Sequence, residues 1–314
     1  MKFVAAAAAL ALAAVPAGAA LAQDLELADR LCGSDAEEIS PEHHIAACTE
    51  LIESGALPAT DLPLVYTTRA WAYLMVEDFD SALVDASEAI RLAPRSPDGY
   101  GWRAAAYSAM GEHRKAVEDL TEALRLAPRS ETAGVWYGGR GLSYGSLGEM
   151  DRALADFAQA IARLPDDAEL YLMRGSLYID QPDYPAAIQD LSRAVRLAPA
   201  MAVAWNQLCW TRMLAGDLDR ALADCDRALE LEPAMPEALD SRGVVHLKRG
   251  DWQAAIGDFD AAVTVDPSAS ASYYGRGIAL LRLGDADLAR ANMAIAAEME
   301  PAVAASYAGF GIEP

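Results

Sequence analysis

Apolar residues recur along this chain at helical intervals. Ala82, Ala86 and Ala89 stand four and three positions apart, and the spacing returns in Ala116, Leu120 and Ala123, then in Ala153, Phe157 and Ala160. Residues so spaced share one face of an α-helix, so each trio predicts a helix that buries a narrow stripe. The trio comes back four more times, ending with Ala289, Met293 and Ala296. Five residues after the last member of each stands a proline: Pro94, Pro128, Pro165, Pro199, Pro233, Pro267 and Pro301. Proline cannot continue a helix, so each predicted helix stops at the same place. The gaps between successive prolines are 34, 37, 34, 34, 34 and 34 residues.

A fixed period of this length is the mark of a repeat architecture. With each proline counted as position 32, position 8 holds a small residue: Ala70, Ala104, Gly141, Gly175, Cys209, Gly243 or Gly277. Small residues there and at positions 20 and 27 let two antiparallel helices approach closely. Position 4 is mostly aromatic, as Tyr66, Tyr100, Tyr137, Tyr171, Trp205 and Tyr273, with Leu239 the departure. Position 16 is acidic (Asp78, Glu112, Glu149, Asp183, Asp217, Asp251, Asp285), which suits a helix start, where unpaired N–H groups and the dipole favour an anion. Glycine usually precedes it and makes the turn, Glu77 and Pro182 being the exceptions.

These residues resemble the tetratricopeptide repeat family over roughly Pro63 to Pro301, seven times in register. The resemblance implies an all-α solenoid, a right-handed superhelix of antiparallel helix pairs, with first helices lining a concave groove and second helices outside. A lone hairpin cannot bury its apolar face, so neighbours supply the core. The expected organisation is a degenerate N-terminal hairpin cap over residues 23–60, seven repeats over 61–301 and a short C-terminal capping stub over 302–314. The cap is read as two helices, Leu25 to Cys32 and Pro41 to Ser54. The stub, Ala302 to Phe310, is expected to leave the last repeat's apolar face poorly covered.

Ahead of the cap, Lys2 and an alanine-rich apolar run from Phe3 to Val15 are followed by Ala20-Leu21-Ala22, the small-x-small pattern of a signal peptide. Cleavage is expected after Ala22, with release to the periplasm or exterior and no stable membrane insertion; the run is too short for a permanent anchor. The chain carries 25 basic and 47 acidic residues, a net charge of −22, and losing Lys2 takes it one unit further. That field disfavours nucleic acid.

Four cysteines form two pairs of equal spacing, Cys32 with Cys48 and Cys209 with Cys225. Cys209 is at position 8 and Cys225 at position 24, which face each other across a hairpin, so two intra-hairpin disulfides are expected in an oxidising compartment. The alternative is a pair of small buried hydrophobes per hairpin. His43, His44, His113 and His246 lack ligand spacing, so no metal or other cofactor is expected. Arginine recurs at position 7 (Arg69, Arg103, Arg140, Arg174, Arg242, Arg276), replaced once by Leu208. Aspartate recurs at position 23 (Asp85, Asp119, Asp156, Asp190, Asp224, Asp258), becoming Asn292 in the last repeat. The ladder reads as structural, pairing helices within or between hairpins.

In arrays of the resembled family the groove is lined by positions 2, 5, 9, 12 and 13. Carried onto this chain, those positions give Leu64, Thr67, Trp71, Leu74 and Met75, then Asp98, Gly101, Ala105, Ser108 and Ala109, then Val135, Gly138, Leu142, Gly145 and Ser146. Among them only Asp98 is charged. Farther along the lining becomes mixed, with Ile179, Asn206, Trp210, Glu237 and Asp240 among its members. The carboxylate-clamp pattern for acidic peptide tails is missing, since the places that need lysine, arginine and asparagine hold threonine, glycine, alanine and tryptophan. Gly138, Gly139 and Gly145 together give up roughly 2–3 kcal/mol of helix propensity. Either a ligand backbone or a bend needs them, or neighbouring helices crowd them. The resulting expectation is a non-enzymatic protein-interaction scaffold or adaptor of the envelope, taking apolar extended or helical protein segments. The alternatives are a holdase or assembly factor for exported clients, and a glycan-binding module using exposed Trp71 and Trp210.

Overall fold

The computed structural model describes Cys32 and residues 40–314. The expected signal peptide and the first helix of the cap, Cys32 excepted, lie outside the described residues. The described secondary structure is entirely helical. The helices group into two compact units, one ending at Gly148 and one running from Glu149 to Pro314.

In the first unit α1 (Pro41–Ser54) packs on α2 (Leu62–Met75). Helices α2 and α3 (Phe79–Leu92) form a hairpin, as do α4 (Asp98–Ala109) and α5 (His113–Leu126), and α6 (Ala133–Ser146) packs on α5. The second unit begins with α7 (Met150–Arg163), which packs on α8 (Ala168–Asp180). Hairpins then follow as α8 with α9 (Tyr184–Leu197), α10 (Ala202–Leu214) with α11 (Leu218–Leu231), α12 (Pro236–Arg249) with α13 (Trp252–Val265), and α14 (Ser270–Arg282) with α15 (Ala286–Met299). Within each unit every second helix also touches the next first helix, so the array is an all-α solenoid in which each hairpin completes its neighbour's core.

The alanines at positions 20 and 27 are buried throughout, and in the second unit Leu191, Phe259 and Met293 at position 24 lie against Gly175, Gly243 and Gly277 at position 8. A Cβ built on Gly175 would stand 2.9 Å from Leu191 Cγ, and one on Gly243 would stand 2.6 Å from Phe259 Cε1. Small at 8 against large at 24 is therefore a steric requirement. The carboxylates of Asp78, Asp183, Asp217 and Asp285 accept from the backbone N–H three residues on, capping α3, α9, α11 and α15. Glu112 makes no such bond, its extra methylene carrying the carboxylate to Lys115 instead. Three position-4 aromatics tie their first helix to the proline before it: Tyr100, Tyr171 and Trp205 donate to the carbonyls of Pro94, Pro165 and Pro199.

The C-terminal segment does more than a stub would. After α16 (Val303–Gly309), Tyr307 is fully buried and its hydroxyl donates to the Ala271 carbonyl at 2.9 Å. The Phe310 ring meets Trp210 edge to face at 5.0 Å, Ile312 is buried, and Arg282 donates to the Glu313 carbonyl. The first helix of the last hairpin is thus covered, whereas Leu288, Ile295 and Met299 on its second helix stay exposed.

Candidate functional site

The arginine–aspartate ladder runs both within and between hairpins. Arg69, Arg103, Arg174 and Arg242 each form a two-toothed fork with the aspartate sixteen residues on: Nε and Nη2 of Arg174 reach Asp190 at 2.7 and 2.8 Å. The aspartates are buried, and the Asp119, Asp190 and Asp258 carboxylates hold Arg103, Arg174 and Arg242 above the usual guanidinium value. In Arg69 and Arg242 the remaining Nη1 turns to the preceding element, as Nη1 does in Arg140 and Arg276. Arg242 reaches Asp226, Arg276 reaches Asp260 and Arg140 reaches Thr121, all at position 25, while Arg69 reaches Thr49 of the cap. In Arg69, Arg242 and Arg276 one side chain therefore closes its own hairpin and stitches it to the element before. In the last repeat Asn292 accepts from Arg276 Nε alone.

The fifth repeat breaks the ladder. Leu208 cannot pair with Asp224, and Arg212, one turn farther along α10, supplies Nη1 to its Oδ2 at 2.5 Å. A single-toothed contact does not offset desolvation, so burial pushes the Asp224 carboxyl up to about 6 against the opposing pull of Arg212. The same hairpin carries Cys209 and Cys225, whose sulfurs lie at bonding distance with Cα atoms 5.3 Å apart. The bridge occupies the small-to-large slot of positions 8 and 24. Cys32 and Cys48 are likewise paired, with Cα atoms 5.1 Å apart.

The groove residues of the first unit divide sharply. Leu64, Met75, Val135 and Leu142 are 68%, 54%, 61% and 45% exposed. Thr67 is buried, its hydroxyl donating to the Leu64 carbonyl, and Gly138 is buried as well. Gly101, Ala105, Ser108, Leu74 and Gly145 are half-buried. Crowding accounts for Gly101, where a Cβ would stand 2.8 Å from Trp136 Nε1. It does not account for Gly139, which meets Leu120 only at ordinary contact distance. Ser108 shares a hydrogen bond with Ser143 across α4 and α6.

The two tryptophans expected to be exposed are half-buried. Trp71 stands edge to face with His44 of α1 at 5.2 Å, and Trp210 does the same with Phe310. Both partners come from outside the repeats, so nothing in the period forecast them. Ile179 packs against the core around Leu191 and Leu208. Among the described residues no helix is long and apolar enough to cross a membrane.

Family profiles described as tetratricopeptide repeat match residues 97–130, 139–202 and 213–274, together about half of the chain. No curated protein matches it. Among solved structures, a tetratricopeptide repeat protein from Parabacteroides merdae is similar at 19% identity and a TM-score of 0.60, over 80% of this chain and all of that one. The Cut9–Hcn1 hetero-tetramer of the APC/C gives 15% identity and a TM-score of 0.61, over 91% of this chain and 53% of that one. YrrB, described as a tetratricopeptide protein with an unusual peptide-binding site, gives 23% and 0.50, over 59% and 93%. At such identities the structural likeness speaks for the fold alone, and it agrees with the matched repeats. The chain belongs to the tetratricopeptide repeat family.

Proposed function

We propose that this chain is a non-enzymatic scaffold or adaptor of the bacterial envelope that holds partner protein segments on its first-helix face. The tetratricopeptide fold itself points to protein–protein interaction, and proteins of this family bind peptide or protein partners. The observation that carries the finer reading is the exposed apolar set Leu64, Met75, Val135 and Leu142, all at groove positions of one unit. In a chain of net charge −22, leaving such side chains in water without a partner wastes apolar area that a bound segment would cover. Export is supported by the signal-like sequence at residues 1–22 and by the two cysteine pairs at bonding distance. The reading keeps the cap at 23–60, the repeats at 61–301 and the C-terminal segment at 302–314, and the packing of α1 on α2 supports the cap.

A photo-crosslinker at Leu64 or Leu142 in intact cells tests this, with Val84, equally exposed on a second helix, as the comparison. A small defined set of adducts from the two groove sites, missing from Val84, is expected. Equal adducts from all three sites would refute the assignment of the face, and a long unspecific ladder of clients from the groove sites would favour a holdase.

A further inference from the structure

The second unit contains a cavity of about 370 Å³ on its first-helix face, between α10, α12 and the start of α14. Its lining includes Asn206, Trp210, Glu237, Asp240, Asp266 and Ser272, with no lysine or arginine. Three carboxylates thus meet one small volume that holds no basic side chain. Among the described residues Glu237, which is exposed, makes no ion pair, and the Asp266 carboxylate accepts only from Ser268. Asp240 accepts from Ser272 Oγ at 2.6 Å and, among the described residues, has no cation paired with it. Burial pushes its carboxyl up to about 6, the opposite of what a neighbouring guanidinium would do.

A second feature points to a missing donor. Asn206 is only 9% exposed, lines this cavity, and its Oδ1 has no hydrogen-bond partner among the described residues. A buried acceptor left unpaired costs about 1–3 kcal/mol, so such atoms call for a donor from outside the chain. Trp210 contributes an aromatic surface beside them, of the kind that attracts cations.

We propose that this pocket receives a lysine or arginine side chain of a partner segment, with Asn206 and Asp240 accepting from its N–H groups and Glu237 and Asp266 supplying the field. The assignment rests on the scaffold reading above and names the chemistry of one residue in the partner. It gives the two units different preferences: apolar contacts along the first, a basic anchor in the second.

Capped, fluorescently labelled nonapeptide pools, with a fixed central Arg, Lys, Gln or Leu and randomised flanks, are titrated with the full-length chain and followed by anisotropy. The Arg and Lys pools should bind about tenfold more tightly than the Gln pool, the equivalent of one well-made charged contact. Asp240→Asn and Asn206→Val should each remove most of that preference and leave the Leu pool unchanged. Glu53→Gln, which deletes an equal charge on α1 of the first unit, outside the pocket's lining, should keep it. If Glu53→Gln erodes the preference as much as Asp240→Asn does, bulk charge explains it and the pocket is refuted. No preference for basic pools refutes it too. In that case Leu64→Asp and Leu142→Asp decide the wider reading: if they abolish Leu-pool binding the groove stands without this subsite, and if no pool binds at all both fail. Unchanged circular dichroism and melting of the variants guard against misfolding, and Asp240→Asn retains an oxygen for Ser272.

Discussion

Replacing Arg174 by leucine should destabilise the second unit by about 3–4 kcal/mol at neutral pH. The Asp190 carboxylate is 5% exposed, and among the described residues its two hydrogen bonds both come from Arg174. Removing one partner of a buried pair leaves an uncompensated charge, at a typical cost of about 3–5 kcal/mol. The fifth repeat shows how to restore the charge, because there leucine holds position 7 and Arg212 serves Asp224 from position 11. Tyr178 occupies position 11 of the fourth repeat, the place Arg212 holds in the fifth, so Arg174→Leu with Tyr178→Arg should recover about half of the loss. Full recovery is not expected, because a single-toothed contact leaves Asp224 pushed up to about 6. Pairing Arg174→Leu with Asp190→Leu should also cost less than Arg174→Leu alone. Native-state hydrogen exchange of α8 and α9 reads these changes locally, with urea unfolding as the global measure. A loss under about 1 kcal/mol, or a double leucine variant costing the sum of its singles, would refute the account of the ladder.

Three shorter expectations follow from the same geometry. Reducing the Cys209–Cys225 bridge, or changing Cys209 to alanine, should cost about 3 kcal/mol, and thermal melts with and without reductant measure it. Gly275→Ala should release the C-terminal segment, since its Cβ would stand 2.5 Å from Phe259 Cζ and collide with the Tyr307 hydroxyl, whereas Gly257→Ala, facing open space inside α13, should stabilise by about 1 kcal/mol; proteolysis of the segment separates the two. Asp240 has a folded-state value near 6, above its unfolded one, so its contribution to stability is greatest when it is protonated and is lost as pH rises through about 6. Urea midpoints of the parent and Asp240→Asn should therefore draw apart between pH 5 and pH 7, with the parent weakened relative to the variant by about 1 kcal/mol at the higher pH.

The fold was legible because each hairpin states the same steric problem again. Alanine at 20 and 27, and small facing large at 8 and 24, leave a helix pair one way to close, and the cysteine pair at 209 and 225 followed from that facing. The ladder was legible as structure but not in direction, because an arginine has more donors than one aspartate can use. Only the coordinates show Nη1 turning to position 25 of the period before. The site was less legible. Position 5 is expected to line the groove, yet Thr67, Gly138 and Asn206 are all buried there. The residue type at position 5 does not encode that burial. The partners of Trp71 and Trp210 come from α1 and from the C-terminal segment, outside the period altogether.

The Cys209–Cys225 bond also changes what a pulling force would find. A repeat array under tension extends hairpin by hairpin, each lengthening the tether by its unravelled chain. In the fifth hairpin the chain between the two sulfurs, a separation of 16 residues, is shunted out of the force path. Its extension would fall short of its neighbours' by roughly 55 Å, at about 3.5 Å per residue. An oxidised array would thus give unequal steps where its sequence period promises equal ones, and reduction would restore the missing length.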